Sequence, residues 1–174
     1  KQGVICPATL FGNNNPVVLE IGFGMGKSLV KMAKHTPDLN YIGVEVHRPG
    51  VGACIALAQE EKVSNLKVYE HDAIEVLADC IADASLAKVQ LFFPDPWPKK
   101  RPHKRGILNR DFLDLLERRL KANGLVHIAT DWQPYAEEIE ALFGSITKFK
   151  RVAAPLRSQT KFERRGMELG HKIF

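Results

Sequence analysis

The sequence predicts an α/β fold, with one mostly parallel, doubly wound sheet covered by helices on both faces. Three observations carry that expectation. Short β-branched runs alternate with amphipathic stretches of helical length along most of the chain. A glycine-rich turn, Gly22-Phe23-Gly24-Met25-Gly26, joins the first run to the first helical stretch. Acidic residues recur at successive run ends, at Glu20, Glu45 and Asp72. Parallel strands need crossovers, the crossovers are right-handed, and ligands then bind beyond the C-terminal strand ends. The expected architecture is Rossmann-like.

The run VVLEI after Pro16 is the first strand, and residues 27–35 follow with helical periodicity until Pro37 stops them. YIGVEV (41–46) is the second strand, and residues 50–62, rich in Ala, Leu and Glu, form the next helix. NLKVYE (65–70) is a strand, residues 73–83 are helical, and KVQLFF (88–93) is the fourth strand. Asn109 or Asp111 caps the amphipathic FLDLLERRLKA, and Asn123-Gly124 reads as its stop. LVHIAT (125–130) is the last predicted strand, and Pro134 sits early in the helix YAEEIEALF.

The 174 residues fit a single domain, 1–174, with a real hydrophobic core; 45% are hydrophobic and 26% charged, as in ordinary soluble proteins. No apolar run is long enough to span a membrane and nothing reads as a signal peptide, so no membrane partner is expected. Cys6, Cys54 and Cys80 lack CxxC spacing, and the histidines lack metal-ligand spacing, so neither a disulfide framework nor a metal is expected. That pattern fits a reducing, cytoplasmic location. The net charge is +5, but five Lys/Arg crowd into residues 99–105, and Lys148, Lys150, Arg151, Arg157, Lys161, Arg164 and Arg165 follow later. Such clustering points to an anionic partner, with nucleic acid first, against the plainer reading of a solvated basic surface. Monomer and homodimer both remain open.

Gly22, Gly24 and Gly26 permit a tight turn and a close backbone approach to a ligand at a helix N-terminus. A dinucleotide fingerprint needs a further glycine at position 27, where Lys27 stands. The G-x-G-x-G spacing after Glu20 is more like the S-adenosylmethionine loop of methyltransferases. Glu45 stands where a carboxylate accepts both ribose hydroxyls, and Asp72 where one accepts from an adenine amino group. Singly, each acid is a solvated loop residue or a helix cap. Together they outline a nucleoside-shaped slot.

The stretch LFFPDPWPKKRPHKRG (91–106) passes from an apolar strand through a proline-rich corner into the basic cluster. Pro94 and Pro96 restrict the backbone around Asp95. Trp97 is either a plug beneath that corner or a platform for a stacked base. The segments LEIGFGMG, VEVHRPG, HDA, FFPDPWPKKRPHKRG, ATDW and TKFERRG…LGH, in that order, strongly resemble the bacterial tRNA (guanine-N7)-methyltransferase family, from about Pro16 onward. Pro102 and Gly106 depart from its pattern, and the family's N-terminal portion and the connection before TKFE are longer than here.

That resemblance implies a class I methyltransferase fold and S-adenosylmethionine as cofactor, held through Glu20, Glu45 and Asp72 with Asp95 near the reacting centre. It implies tRNA as substrate, methylated at N7 of guanine 46 in the variable loop. Lys99, Asp131 and Thr160-Lys161-Phe162-Glu163 would then engage the tRNA, helped by the basic loop with Arg101, Lys104 and Arg105. Guanine N7 carries an in-plane lone pair and no proton, so the reaction asks for position and electrostatics more than for a base. Asp95 is the candidate catalytic carboxylate on that logic. A small-molecule or protein methyltransferase, a silent RNA-binding protein and an NAD enzyme are the rival readings. The basic loop beside Asp95, the acids at the strand ends and Lys27 respectively count against them.

Overall fold

The computed structural model describes residues 3–95, 107–155 and 166–174. Lys99, Arg101, Lys104, Arg105, Thr160, Lys161, Phe162 and Glu163, with Trp97, lie outside the described residues. The order of elements is α1 (Pro7–Phe11), β1 (Val17–Ile21), α2 (Lys27–His35), β2 (Asn40–Glu45), α3 (Arg48–Glu60), β3 (Leu66–Glu70), α4 (Ala73–Asp79), β4 (Leu86–Phe92), α5 (Arg110–Arg119), β5 (Leu120–Thr130), α6 (Gln133–Gly144), β6 (Phe149–Val152) and β7 (Met167–Ile173). The seven strands form one sheet in the order β3-β2-β1-β4-β5-β7-β6. Strands β1 to β5 pair in parallel, while β7 runs antiparallel between β5 and β6.

The alternation of side chains along β1 explains why both sheet faces are covered. Val17, Leu19 and Ile21 join one core with buried residues of α4, α5 and α6, whereas Val18 joins a second with Leu29, Val30, Val51 and Cys54 of α2 and α3. A strand buried on both faces reads as a continuous apolar run, as VVLEI does. The chain leaves β1 toward β2 and β3, then crosses back to β4, so strand order reverses between β1 and β4. That reversal opens a crevice at the C-terminal ends of these two strands, and the glycine turn lies there.

The helix expected to run to Asn123 ends at Arg119, and residues from Leu120 already belong to β5. Tertiary pairing overrides the helical propensity of Leu-Lys-Ala. Ser85 and Ala84 N–H groups bond to the Arg119 and Arg118 carbonyls at 2.9 Å each, and Leu86 pairs with Leu120. Asn123-Gly124 marks an irregularity within the strand instead of a helix stop, with Asn123 at φ 66°. The cap of α5 is Asn109, whose Oδ1 accepts from Phe112 N at 2.9 Å. Helix α4 stops at Asp79, short of the expected 83. Strands β6 and β7 and helix α1 were not anticipated; β6 has only four residues, two of them Lys150 and Arg151, and β7 buries His171 and Gly170 where an apolar signal would be sought.

Candidate active site

The turn after β1 is built on left-handed backbone at Gly22, Gly24 and Gly26, with φ of 72°, 63° and 81°. Side chains rarely adopt such angles, so glycine is required by conformation. At two places it is also required by space. A Cβ on Gly26 would meet Cys54 Sγ at 2.3 Å, and a Cβ on Gly50 would meet the Gly24 carbonyl oxygen at 2.1 Å. Helix α3 therefore lies directly behind the turn and sets its position. Gly22 N–H bonds to the Val44 carbonyl (2.8 Å) and Gly26 N–H to that of Phe23 (3.0 Å). Burial of Cys54, with the Glu20 charge adding, pushes its thiol up to about 11, so it packs as a neutral group.

The three acids do not occupy equivalent places. Glu45 closes β2, and its Oε2 lies 3.4 Å from Gly24 N and 3.8 Å from where a Gly22 Cβ would be. Asp72 follows β3 and caps α4, its Oδ1 accepting from Glu75 N at 3.0 Å. Glu20 is one residue inside β1 and 3% exposed, with Oε1 taking a 2.6 Å hydrogen bond from Gln90 Nε2. Glu45 and Asp72 thus line the rim, while Glu20 lies buried beneath it. Exposed Met25, Val46 and Ile74 stand close in sequence to Gly24, Glu45 and Asp72, adding apolar surface to a polar rim.

Asp95 is exposed and stands three residues beyond β4. The corner before it is made at Phe93. Phe93 adopts φ 56°, and its N–H still bonds to the Ala129 carbonyl at 2.7 Å. The chain is thereby held to β5 up to the residue at which it turns away. Asp131 is exposed immediately after β5, beside Trp132, which is 41% exposed. Gly166, the last residue of the TKFERRG segment, packs so closely here that a Cβ would lie 2.8 Å from both Phe93 Cε1 and the Thr130 carbonyl oxygen. One corner thus collects Asp95, Asp131 and the end of that segment. Beneath it, His127 Nε2 lies 2.5 Å from Glu168 Oε2, and Phe92 meets the imidazole edge-on at 5.0 Å between centroids.

Sequence reasoning passed over Gln90, Gly50, Cys54, Phe93, Trp132 and Tyr135. A signal existed for Gln90, an amide inside the apolar run KVQLFF, in register with Glu20 across β1 and β4. Nothing in the sequence singled out Gly50 or Cys54, whose role depends on which loop α3 meets.

Residues 14–174 match the family described as "Putative methyltransferase". The tRNA (guanine-N(7)-)-methyltransferase of Pseudoalteromonas translucida is 56% identical over all of this chain and 76% of its own length. That of Colwellia psychrerythraea is also 56% identical, over all of this chain and 75% of its own. The chain belongs to the tRNA (guanine-N(7)-)-methyltransferase family. It spans about three quarters of the length of these relatives. Among solved structures, a precorrin-6y C5,15-methyltransferase from Geobacter metallireducens superimposes with a TM-score of 0.63 at 13% identity, covering 97% of this chain and 86% of that one. An rRNA methylase from Streptococcus thermophilus gives 0.63 at 13% identity, over 96% of this chain and 92% of the other. The tRNA (guanine-N(7)-)-methyltransferase family member described here therefore has the class I methyltransferase fold. Among the described residues no cluster could hold a metal ion, and no helix is long and apolar enough to cross a membrane.

Proposed function

We propose that this methyltransferase moves a methyl group from S-adenosylmethionine to N7 of guanine at position 46 in the variable loop of tRNA. The observation that carries the reading is 56% identity along the entire chain to relatives of that name, with the glycine turn, Glu45, Asp72 and Asp95 all on one sheet edge. The residues suit the cofactor. Gly24 faces open space, where a Cβ would meet nothing within 4 Å, and the Glu45 carboxylate borders that space. Carboxylates match a donor set of ribose hydroxyls and an adenine amino group.

When bound, S-adenosylmethionine supplies an electrophilic methyl group on a sulfonium. Glu45 would accept from the ribose hydroxyls and Asp72 from the adenine amino group, while Glu20, held by Gln90, would support the turn from below. The chemistry the cofactor would supply is an in-line methyl transfer, in which the guanine N7 lone pair would take the methyl group and the departing thioether would keep the electron pair of the C–S bond. Positive charge passes to the purine, and no proton has to leave N7. Asp95 accepts from guanine N–H groups and stabilises the cationic ring, an electrostatic contribution that grows as charge develops. Lys99, Arg101, Lys104 and Arg105 neutralise phosphates. Asp131 and Thr160-Lys161-Phe162-Glu163 hold the nucleotide around the extruded base.

Incubation with methyl-labelled cofactor and unmodified tRNA, followed by mapping of the labelled base, tests the reading. Label at N7 of guanine 46 is expected. Label on adenine or cytosine, or none, overturns it.

A further inference from the structure

Gln90 places an amide in the middle of an apolar strand. Its neighbours Val89 and Leu91 are buried in the core on one face of the sheet, and Gln90, fully buried as well, takes the other face. There its Nε2 donates to Glu20 Oε1 at 2.6 Å and lies 3.3 Å from Met32 Sδ of α2. Register sets the contact, since Glu20 of β1 and Gln90 of β4 are paired across the two parallel strands. The amide Oε1, in contrast, is buried with no hydrogen-bond partner among the described residues. Burying an acceptor in that condition costs free energy that leucine or methionine, of similar volume, would avoid. Packing alone does not account for glutamine here.

The carboxylate it holds does. Glu20 is 3% exposed, and a buried carboxylate needs donors or an opposite charge. Lysine or arginine at position 90 would supply both and cancel the negative charge. A carboxamide supplies an N–H and leaves the charge in place. That charge stands two residues before Gly22, where the turn begins, and Met32 brings the same amide against the helix that follows the turn. S-adenosylmethionine is positive at its sulfonium and its amino group, so a fixed, uncancelled carboxylate beneath the turn suits it.

We propose that Gln90 is a positioning residue for cofactor binding, its amide fixing the Glu20 carboxylate beneath the glycine turn while leaving the negative charge to act on the cationic cofactor. The inference rests on S-adenosylmethionine being bound with the help of Glu20. Calorimetric titration with S-adenosylmethionine tests it in a double-mutant cycle of Gln90→Met and Glu20→Leu. Gln90→Met is expected to raise cofactor Kd about tenfold, the loss of one hydrogen bond to a charged group. In the Glu20→Leu background, where the amide has no carboxylate to hold, the same change should alter Kd by less than about twofold. Affinity for tRNA by filter binding should stay within about twofold in Gln90→Met. Gln90→Asn keeps an amide in the core but draws it back from Glu20 by one methylene, and should weaken cofactor binding about 3- to 10-fold even if Gln90→Met does not fold. A wild-type Kd in either Gln90 variant, or a tenfold loss in both backgrounds, overturns the proposal while leaving Glu20 in its role. An unchanged Kd in Glu20→Leu removes Glu20 from the cofactor site and the proposal with it. No binding by the unaltered protein overturns the cofactor reading itself.

Discussion

Replacing Gly50 with alanine should displace the glycine turn without substituting any residue of the turn itself. The added Cβ would lie 2.1 Å from the Gly24 carbonyl oxygen. Real Cβ atoms essentially never approach a neighbour under 3.0 Å, so turn and helix must separate by about 1 Å. Helix α3 is held through Val51 and Cys54 in the core, so the turn is the part that gives way. A displacement of ~1 Å in a positioning element can cost ~100-fold in rate. Overpacking of this kind costs about 1–3 kcal/mol of stability, roughly 2–12 °C in Tm for a domain of this size. Calorimetric titration with S-adenosylmethionine should show Kd raised about 10- to 100-fold, in line with that positioning cost, while tRNA affinity by filter binding stays near wild type. Gly52, two residues further along α3, is the control, because its Cβ would meet nothing within 4 Å. Gly52→Ala should bind cofactor normally and gain up to about 1 kcal/mol from helix propensity. If the two variants bind cofactor equally well, α3 does not set the turn.

Trp132→Ala should raise the KM for tRNA about 5- to 150-fold if the exposed ring stacks on a base, an interaction of roughly 1–3 kcal/mol, while cofactor Kd holds. An unchanged KM would make the ring a bystander. Neutralising Lys99 or Arg101 should weaken tRNA binding and lower the slope of log K against log salt by about 0.7–0.9 for each phosphate no longer neutralised; an unaltered slope would remove that side chain from the interface. His171, 3% exposed and stacked on Phe143 at 3.9 Å, is pushed down to about 4, by burial first and by Arg151 second. Between pH 6.5 and 4 the unfolded chain binds this proton and the folded chain does not, so stability present above pH 6.5 is lost as pH falls, at most roughly 3 kcal/mol. Tm measured across that window should flatten in His171→Phe, and an equally steep profile would exclude His171 as the source.

Much of the site was legible because its parts are local. Glycines at positive φ directly after a strand, acids at the ends of β2 and β3, and the Pro94-Asp95-Pro96 corner are each short-range patterns, and parallel topology brings their strand ends to one edge. The misplaced stop at Asn123-Gly124 shows where local reading fails. The dipeptide is a real conformational signal, yet its meaning depended on β4 drawing Leu120 into the sheet. Glu20 illustrates the same limit differently. Its spacing from the glycines marked it, but its burial against Gln90 follows from the register of β1 with β4, seventy residues away.

The sequence by itself determined the alternating architecture, the glycine turn after β1 and the family, because strand–helix periodicity, turn chemistry and contiguous motifs need no knowledge of distant neighbours. Only the tertiary structure decided that α3 braces the glycine turn through Gly50 and Cys54, and that Phe93 and Ala129 lock the Asp95 corner. Those relations join residues tens of positions apart, and close packing creates them.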